Sequence, residues 1–221
     1  MKFYFFSDGA SEPTNPGPSS FAFLETSEYH DKRELYSYYE YIGFTTNNIA
    51  ELRGLKAIFE YIIKNKDKYL SNSSNEIFVY SDSQYALDCI RKWFPNWVIK
   101  NKLADKKNLD IIKPAYEMYC EIQKSCSITL EWVKGHNGHW ANERADELCN
   151  IALFEAQIST QTDDPIEMSI LRFNKLVEDT IDLNKKYKSN IKKLVKDYIE
   201  IKGKNITDKE MEKLISKGLK L

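Results

Sequence analysis

No run in this 221-residue sequence is long and apolar enough to cross a bilayer, which excludes a spanning helix. The aromatic N-terminus, MKFYFFSDGA, has too short an apolar run for a secretion signal and breaks at Asp8-Gly9. An excess of one charge sign is also missing. Lys and Arg number 32 against 33 Asp and Glu, so any affinity for nucleic acid has to come from local patches. Cysteine is sparse: Cys89, Cys120, Cys126 and Cys149 form no Cys-x-x-Cys pair and lie mostly in apolar runs. That argues against a zinc site and for free thiols in a reducing compartment. The chain is therefore expected to be soluble, intracellular and cytoplasmic. No internal repeat of useful period is visible.

What is present suits a chain with a real core. A hydrophobic fraction of 42% excludes disorder throughout. Strands are expected over 2–7, 19–25 and 33–44, the first two separated by the Pro- and Gly-dense SEPTNPGPS. Three adjacent strands suggest an antiparallel meander. A helix is expected over 48–65, where Leu52, Leu55, Ile58, Phe59 and Ile62 recur at helical spacing, with Thr46 or Asn47 as N-cap. A short strand over 77–80 leads into a helix through Ala86, Leu87 and Ile90. A helix over 109–123 follows, with Pro114 expected to kink it or delay its onset. A strand over 128–133, a loop over 134–139 and a helix over 140–156 complete the order. The fold class is α/β, a mixed five-stranded sheet covered by helices. We expect a catalytic domain over 1–155, a linker over 156–167 and a small Lys-rich helical extension over 168–221.

Four short stretches each carry one notable carboxylate: Asp8, Glu51, Asp82 and Asp146. Each has an ordinary explanation. Asp8 with Gly9 makes a turn, Glu51 sits at a stripe edge near a helix N-terminus, Asp82 caps a helix, and Asp146 lies on a solvated helix face. Against these, Asp8 and Asp82 fall at the expected carboxyl ends of strands, where open α/β sheets place their ligands. Glu51 shares a helix face with Leu55, Ile58 and Ile62, and a carboxylate beside a buried stripe needs a partner. Asp146 flanks the buried face that includes Cys149. If the fold gathers all four, hard oxygen ligands would hold divalent cations able to clamp a phosphodiester.

In order, the segments SDGA, NPGP, TTNNIAEL, YSDSQYAL and WVKGHNGHWANERADEL resemble the type 1 ribonuclease H family over roughly the first 155 positions. The resemblance implies a ribonuclease H-like fold and an endonuclease that hydrolyses the RNA strand of RNA/DNA hybrids, leaving 5′-phosphate and 3′-hydroxyl ends. It also implies two divalent metal ions, Mg2+ with Mn2+ as the alternative, held by Asp8, Glu51, Asp82 and Asp146. Glu51 would in addition approach the ribose 2′-hydroxyl. His136 corresponds to a mobile histidine that assists proton movement or product departure, with Gly135 and Gly138 giving its loop freedom. His139 and His30 carry no assigned role.

For the hybrid, the resemblance implies backbone and minor-groove contacts by Asn15, Thr46, Asn47, Asn48 and Gln84. Between the helices, Trp93 and Trp97 interleave with Lys100, Lys102, Lys106 and Lys107, as a phosphate-tracking surface requires, and the segment resembles the family's basic protrusion. Partial packing of both tryptophans into the core is the competing account. The Lys-rich residues 185–204 suggest a helical appendage, with a nucleic-acid clamp the minority reading; nothing in the sequence supports a protein partner there. Two other functions compete. One is a hybrid-binding module without cleavage, against which the four intact carboxylates argue. The other is a 3′ to 5′ exonuclease, which would carry Asp-x-Glu where this chain reads Asp8-Gly9-Ala10.

Overall fold

The computed structural model describes residues 1–159. The linker expected over 156–167, past Ser159, and the extension expected over 168–221 lie outside them.

Ten residues form β1 (Lys2–Ser11), buried without a break from Phe5 to Ala10, followed by β2 (Gly17–Thr26) and β3 (Glu34–Thr45). β1 and β2, then β2 and β3, pair antiparallel, as the expected meander requires. Helix α1 (Asn47–Lys64) and a four-residue turn, α2 (Lys66–Tyr69), lead to β4 (Glu76–Ser81). Next come α3 (Gln84–Asp88), a π-helical turn (Cys89–Trp93), α4 (Phe94–Ile99) and α5 (Leu109–Gln123). Strand β5 (Ser127–Trp132) and helix α6 (Trp140–Ser159) complete the described residues. The sheet order is β3-β2-β1-β4-β5, with β4 parallel to both β1 and β5.

Alternation along β1 divides the core between the two faces of the sheet. Phe3 and Phe5 join Leu52, Leu55, Ile58, Phe59 and Ile62 of α1 and Ile111, Ile112 and Ala115 of α5. Phe6 and Ala10 face the other way, onto Ala141, Ala145, Leu148 and Cys149 of α6. Truncating a fully buried residue such as Leu55 would cost about 2–5 kcal/mol, so this packing fixes the sheet on which the site is mounted.

Local differences from the sequence reading have physical causes. β1 continues past Ser7 because its antiparallel pairing with β2 persists to Ser11↔Ser19. Helix α5 starts at Leu109 and runs through Pro114, held by the buried stripe of Ile111, Ile112, Ala115 and Ile122. The basic, aromatic segment after α3 is largely helical, since Phe94 and Ile90 are buried and pull it onto the core. No helix among the described residues is long and apolar enough to cross a membrane.

Candidate active site

The parallel pairing of β1 with β4 ends at Ser7↔Ser81. The next residues, Asp8 and Asp82, therefore leave the paired region side by side at the same end of the sheet. For Asp8 the expectation of a strand terminus holds on the β4 side alone, because the strand continues along β2. Asp82 is not the cap of α3: the Ser83 hydroxyl accepts the Ala86 N–H at 3.2 Å and takes that role. Glu51 arrives from α1, which approaches β1 very closely. A Cβ on Gly9 would collide with Glu51 N and lie 2.6 Å from the Ala50 carbonyl carbon, so glycine is what lets helix and strand meet here. One carboxylate oxygen from each of Asp8, Glu51 and Asp82 lies within 4.8 Å of the others.

Gathering three acids in this way is unfavourable without a cation. Burial first, and Asp82 second, push the Asp8 carboxyl up to about 8, against the pull of the Gly9 N–H, which donates to Asp8 Oδ1 at 2.7 Å. Burial, then Asp8 and Asp82, raise Glu51 well above the usual carboxylate range. Glu25 provides the contrast. It is just as buried, yet it accepts from Lys68 Nζ at 2.8 and 2.9 Å and from the Tyr69 hydroxyl at 2.9 Å. Glu51 Oε1 has only Asn47 Nδ2 at 3.5 Å, and its Oε2 is buried with no hydrogen-bond partner. Acceptor-only oxygens, one of them orphaned, suit a hard divalent ion.

Asp146 stands outside this trio. It lies on α6, half-buried, and Asn150 Nδ2 donates to its Oδ1 at 3.4 Å. Its charge nevertheless contributes to the field on Asp8. Burial raises Asp146, and His136 opposes that rise, which puts His136 on the Asp146 side of the site. His136 is exposed and has φ of +48°, a left-handed conformation uncommon for a residue with a side chain. Gly135, expected to act as a hinge, has another role: its missing Cβ makes room for the Asp82 carboxylate. His139 stacks on Phe6 at 4.9 Å and meets the Tyr29 ring at a tilt at 4.5 Å, and burial lowers its pKa. These contacts tie the loop to the core.

Of the residues expected to touch substrate, Asn47 bonds to this cluster directly and Asn15 through Asn47. Thr46 occupies the N-cap position of α1 without a side-chain cap bond. The cap comes from across the site, where Asn15 Oδ1 accepts the Asn47 N–H at 3.1 Å. Asn15 and Asn47 are thereby tied to each other, and Asn47 to Glu51, while Asn48 and Gln84 are exposed. Trp93 and Trp97 stack at 6.3 Å, and Lys106 Nζ lies 5.1 Å over the Trp97 ring. Trp93 remains 38% exposed, so its packing leaves a usable face. Lys100, Lys102 and Lys107 are exposed, and Arg91 and Lys92 pair with Asp88 at 2.8 and 3.0 Å. Asn142, which the sequence reading passed over, donates to Asp82. Its position one helical turn before Asp146 was the available signal.

The family model described as RNase H matches residues 1–153. Ribonuclease HI of Helicobacter pylori (strain ATCC 700392 / 26695) is 40% identical over 157 residues, covering 71% of this chain and 94% of that protein. Among solved structures, the N-terminal RNase H domain of rv2228c from Mycobacterium tuberculosis, a fusion with maltose binding protein, aligns with a TM-score of 0.52 at 26% identity. It covers 72% of this chain and 99% of that one. LC11-RNase H1 in complex with an RNA/DNA hybrid shares the fold, with a TM-score of 0.50 at 22% identity over 70% of this chain and 99% of that one.

Proposed function

This chain belongs to the ribonuclease H family, and from that premise we propose that it is an endonuclease hydrolysing the RNA strand of RNA/DNA hybrids with two divalent metal ions, leaving 5′-phosphate and 3′-hydroxyl ends. The observation that carries the metal dependence is the orphaned, buried Glu51 Oε2 within the Asp8, Glu51 and Asp82 trio. Mg2+ fits these oxygen-only groups, and Mn2+ is the alternative. Bound there, the ions would supply charge stabilisation to the phosphate and the leaving 3′-oxygen and would activate the attacking water.

The chain's own residues do the rest. Asp8, Glu51 and Asp82 would hold the ions, with Asp8 the ligand common to both, and Asp146 would be the fourth ligand. Glu51 is assigned to the ribose 2′-hydroxyl as well, which makes RNA a requirement on the cut strand. His136, exposed on its loop beside Asp146, can take up or deliver a proton as product leaves. Asn15, Thr46, Asn47, Asn48 and Gln84 form a polar rim suited to sugars and phosphates rather than base sequence. Trp93, Trp97, Lys100, Lys102, Lys106 and Lys107 offer cations and aromatic faces to the second strand.

Cleavage of an end-labelled RNA/DNA hybrid in Mg2+ tests the reading. The parent chain should cut internally, and Asp8→Asn should lose roughly 100-fold or more, the kinetic equivalent of about 3 kcal/mol. A parent that binds hybrid without cutting it would instead be a binding module, and stepwise shortening of single-stranded DNA would indicate an exonuclease.

A further inference from the structure

Of the four carboxylates, Asp82 has the weakest local support. Asp8 is within β1, Glu51 within α1 and Asp146 within α6, but Asp82 occupies a bend between β4 and α3. Ser83 caps α3, so its own helix does not hold the Asp82 side chain. The Gln84 N–H donates to the Asp82 carbonyl oxygen at 3.2 Å, and further support comes from the end of β5, the start of α6 and the loop between them. The Trp132 indole N–H donates to the Asp82 carbonyl oxygen at 2.9 Å, just beyond the Val133 N–H bond to Ser81 O at 3.1 Å. Asn142, 2% exposed, donates from Nδ2 to Asp82 Oδ2 at 3.3 Å. A carboxylate can only accept, so the amide nitrogen has to face it. Asn142 Oδ1 is buried with no hydrogen-bond partner from the protein, so its one side-chain bond is the one to Asp82. Gly135 closes the third side. A Cβ there would overlap Asp82 Oδ2 and lie 3.2 Å from its Cγ.

We propose that Trp132, Gly135 and Asn142 are positioning residues: together they hold the Asp82 backbone and fix its carboxylate rotamer in the orientation that a divalent ion shared with Asp8 and Glu51 requires. Trp132 sets where the bend sits, Asn142 occupies Oδ2 from one side, and the bare Cα of Gly135 limits movement on the other. Asp82 Oδ1 stays available to the ion. Outer-shell donors of this kind orient a ligand before the ion arrives, and their loss typically weakens metal binding or activity by about 10–100-fold. The inference rests on the metal-centre reading above and assigns that site a support which neither the family match nor the relatives' names specify.

Calorimetric titration of the full chain with Mg2+ and with Mn2+, without substrate, is the primary test, alongside kcat and KM on a hybrid and the Tm without metal. Asn142→Ala should weaken metal binding roughly 10–100-fold and lower kcat comparably, with KM for the hybrid changed by less than about twofold. Trp132→Phe keeps an aromatic ring but removes the indole N–H donor, and should give a smaller loss in the same direction. Gly135→Ala should match or exceed the Asn142→Ala effect, because Asp82 has to move. On an Asp82→Asn background, Asn142→Ala should add almost nothing, as expected of residues acting through one carboxylate. If Asn142→Ala does not fold, Trp132→Phe and Gly135→Ala carry the same metal readout. Folded variants that bind metal and turn over within about twofold of the parent, with only Tm lowered, would overturn the proposal. A parent that binds Mg2+ but never cleaves hybrid would overturn the nuclease reading and leave this inference to its metal titration.

Discussion

At Asp8 the folded chain disfavours the ionised form, since burial and the neighbouring Asp82 lift its carboxyl from an ordinary 3.8 to about 8. The sign of the consequence is the reverse of common acid denaturation. A carboxyl raised on folding gives stability that is fully present below the unfolded value and is lost as pH rises through the folded one. Protein stripped of divalent ions is therefore expected to lose Tm between about pH 4 and pH 8, with Glu51 acting in the same direction. Asp8→Asn should raise the Tm of stripped protein at pH 8 and flatten that slope, even as it abolishes cleavage. Added Mg2+ should restore more Tm at pH 8 than at pH 5. A melting series in chelator and in Mg2+ checks all three, and a Tm independent of pH in chelator would contradict the buried acidic trio. His136 belongs to this scale too: His136→Ala should lower kcat roughly 10–100-fold with little change in KM, read from steady-state cleavage.

Among elements, the decisive contact is between β1 and α1. Gly9 allows the α1 backbone to approach at Ala50 and Glu51, and the Asn15 side chain caps the start of the same helix. Gly9→Ala would force the two apart, because the atoms its Cβ meets are mainly backbone and cannot rotate away. It should cost about 1–3 kcal/mol of stability and remove most cleavage by withdrawing Glu51 from Asp8 and Asp82. Chemical denaturation together with cleavage assays would register both losses. Helix order and spacing were readable in advance from apolar periodicity, and α1 and α5 fall within a residue of their expected bounds. The far end of β1 was not readable, because its last residues are held by pairing with β2 rather than by their own composition. The helical character of the Trp93 to Ile99 segment was hidden for a similar reason. Pro95 and the flanking cations Arg91, Lys92 and Lys100 masked it, while Phe94 drives it onto the core.

For the whole molecule, a formal charge of −1 means that affinity for a polyanion has to come from local patches, such as the one formed by Lys100, Lys102, Lys106 and Lys107. Replacing Lys100 and Lys102 with Ala should weaken hybrid binding across sequences and reduce the slope of log affinity against log salt by about 1 per lysine. Titrations at several salt concentrations would show it, and an unchanged slope would remove these lysines from the interface. By itself, the sequence indicated the five strands and helices α1, α3, α5 and α6 in their order and singled out the four acids, because each of these follows from local periodicity or a short motif. It could not determine that Asp8, Glu51 and Asp82 converge while Asp146 stands apart, since convergence depends on where β1 and β4 stop pairing and how closely α1 approaches. Nor could it distinguish Glu25, buried and satisfied by Lys68 and Tyr69, from Glu51, buried and orphaned. The support of Asp82 by Trp132, Gly135 and Asn142 spans 50 to 60 residues of sequence separation, and only the folded sheet brings those groups within hydrogen-bonding range.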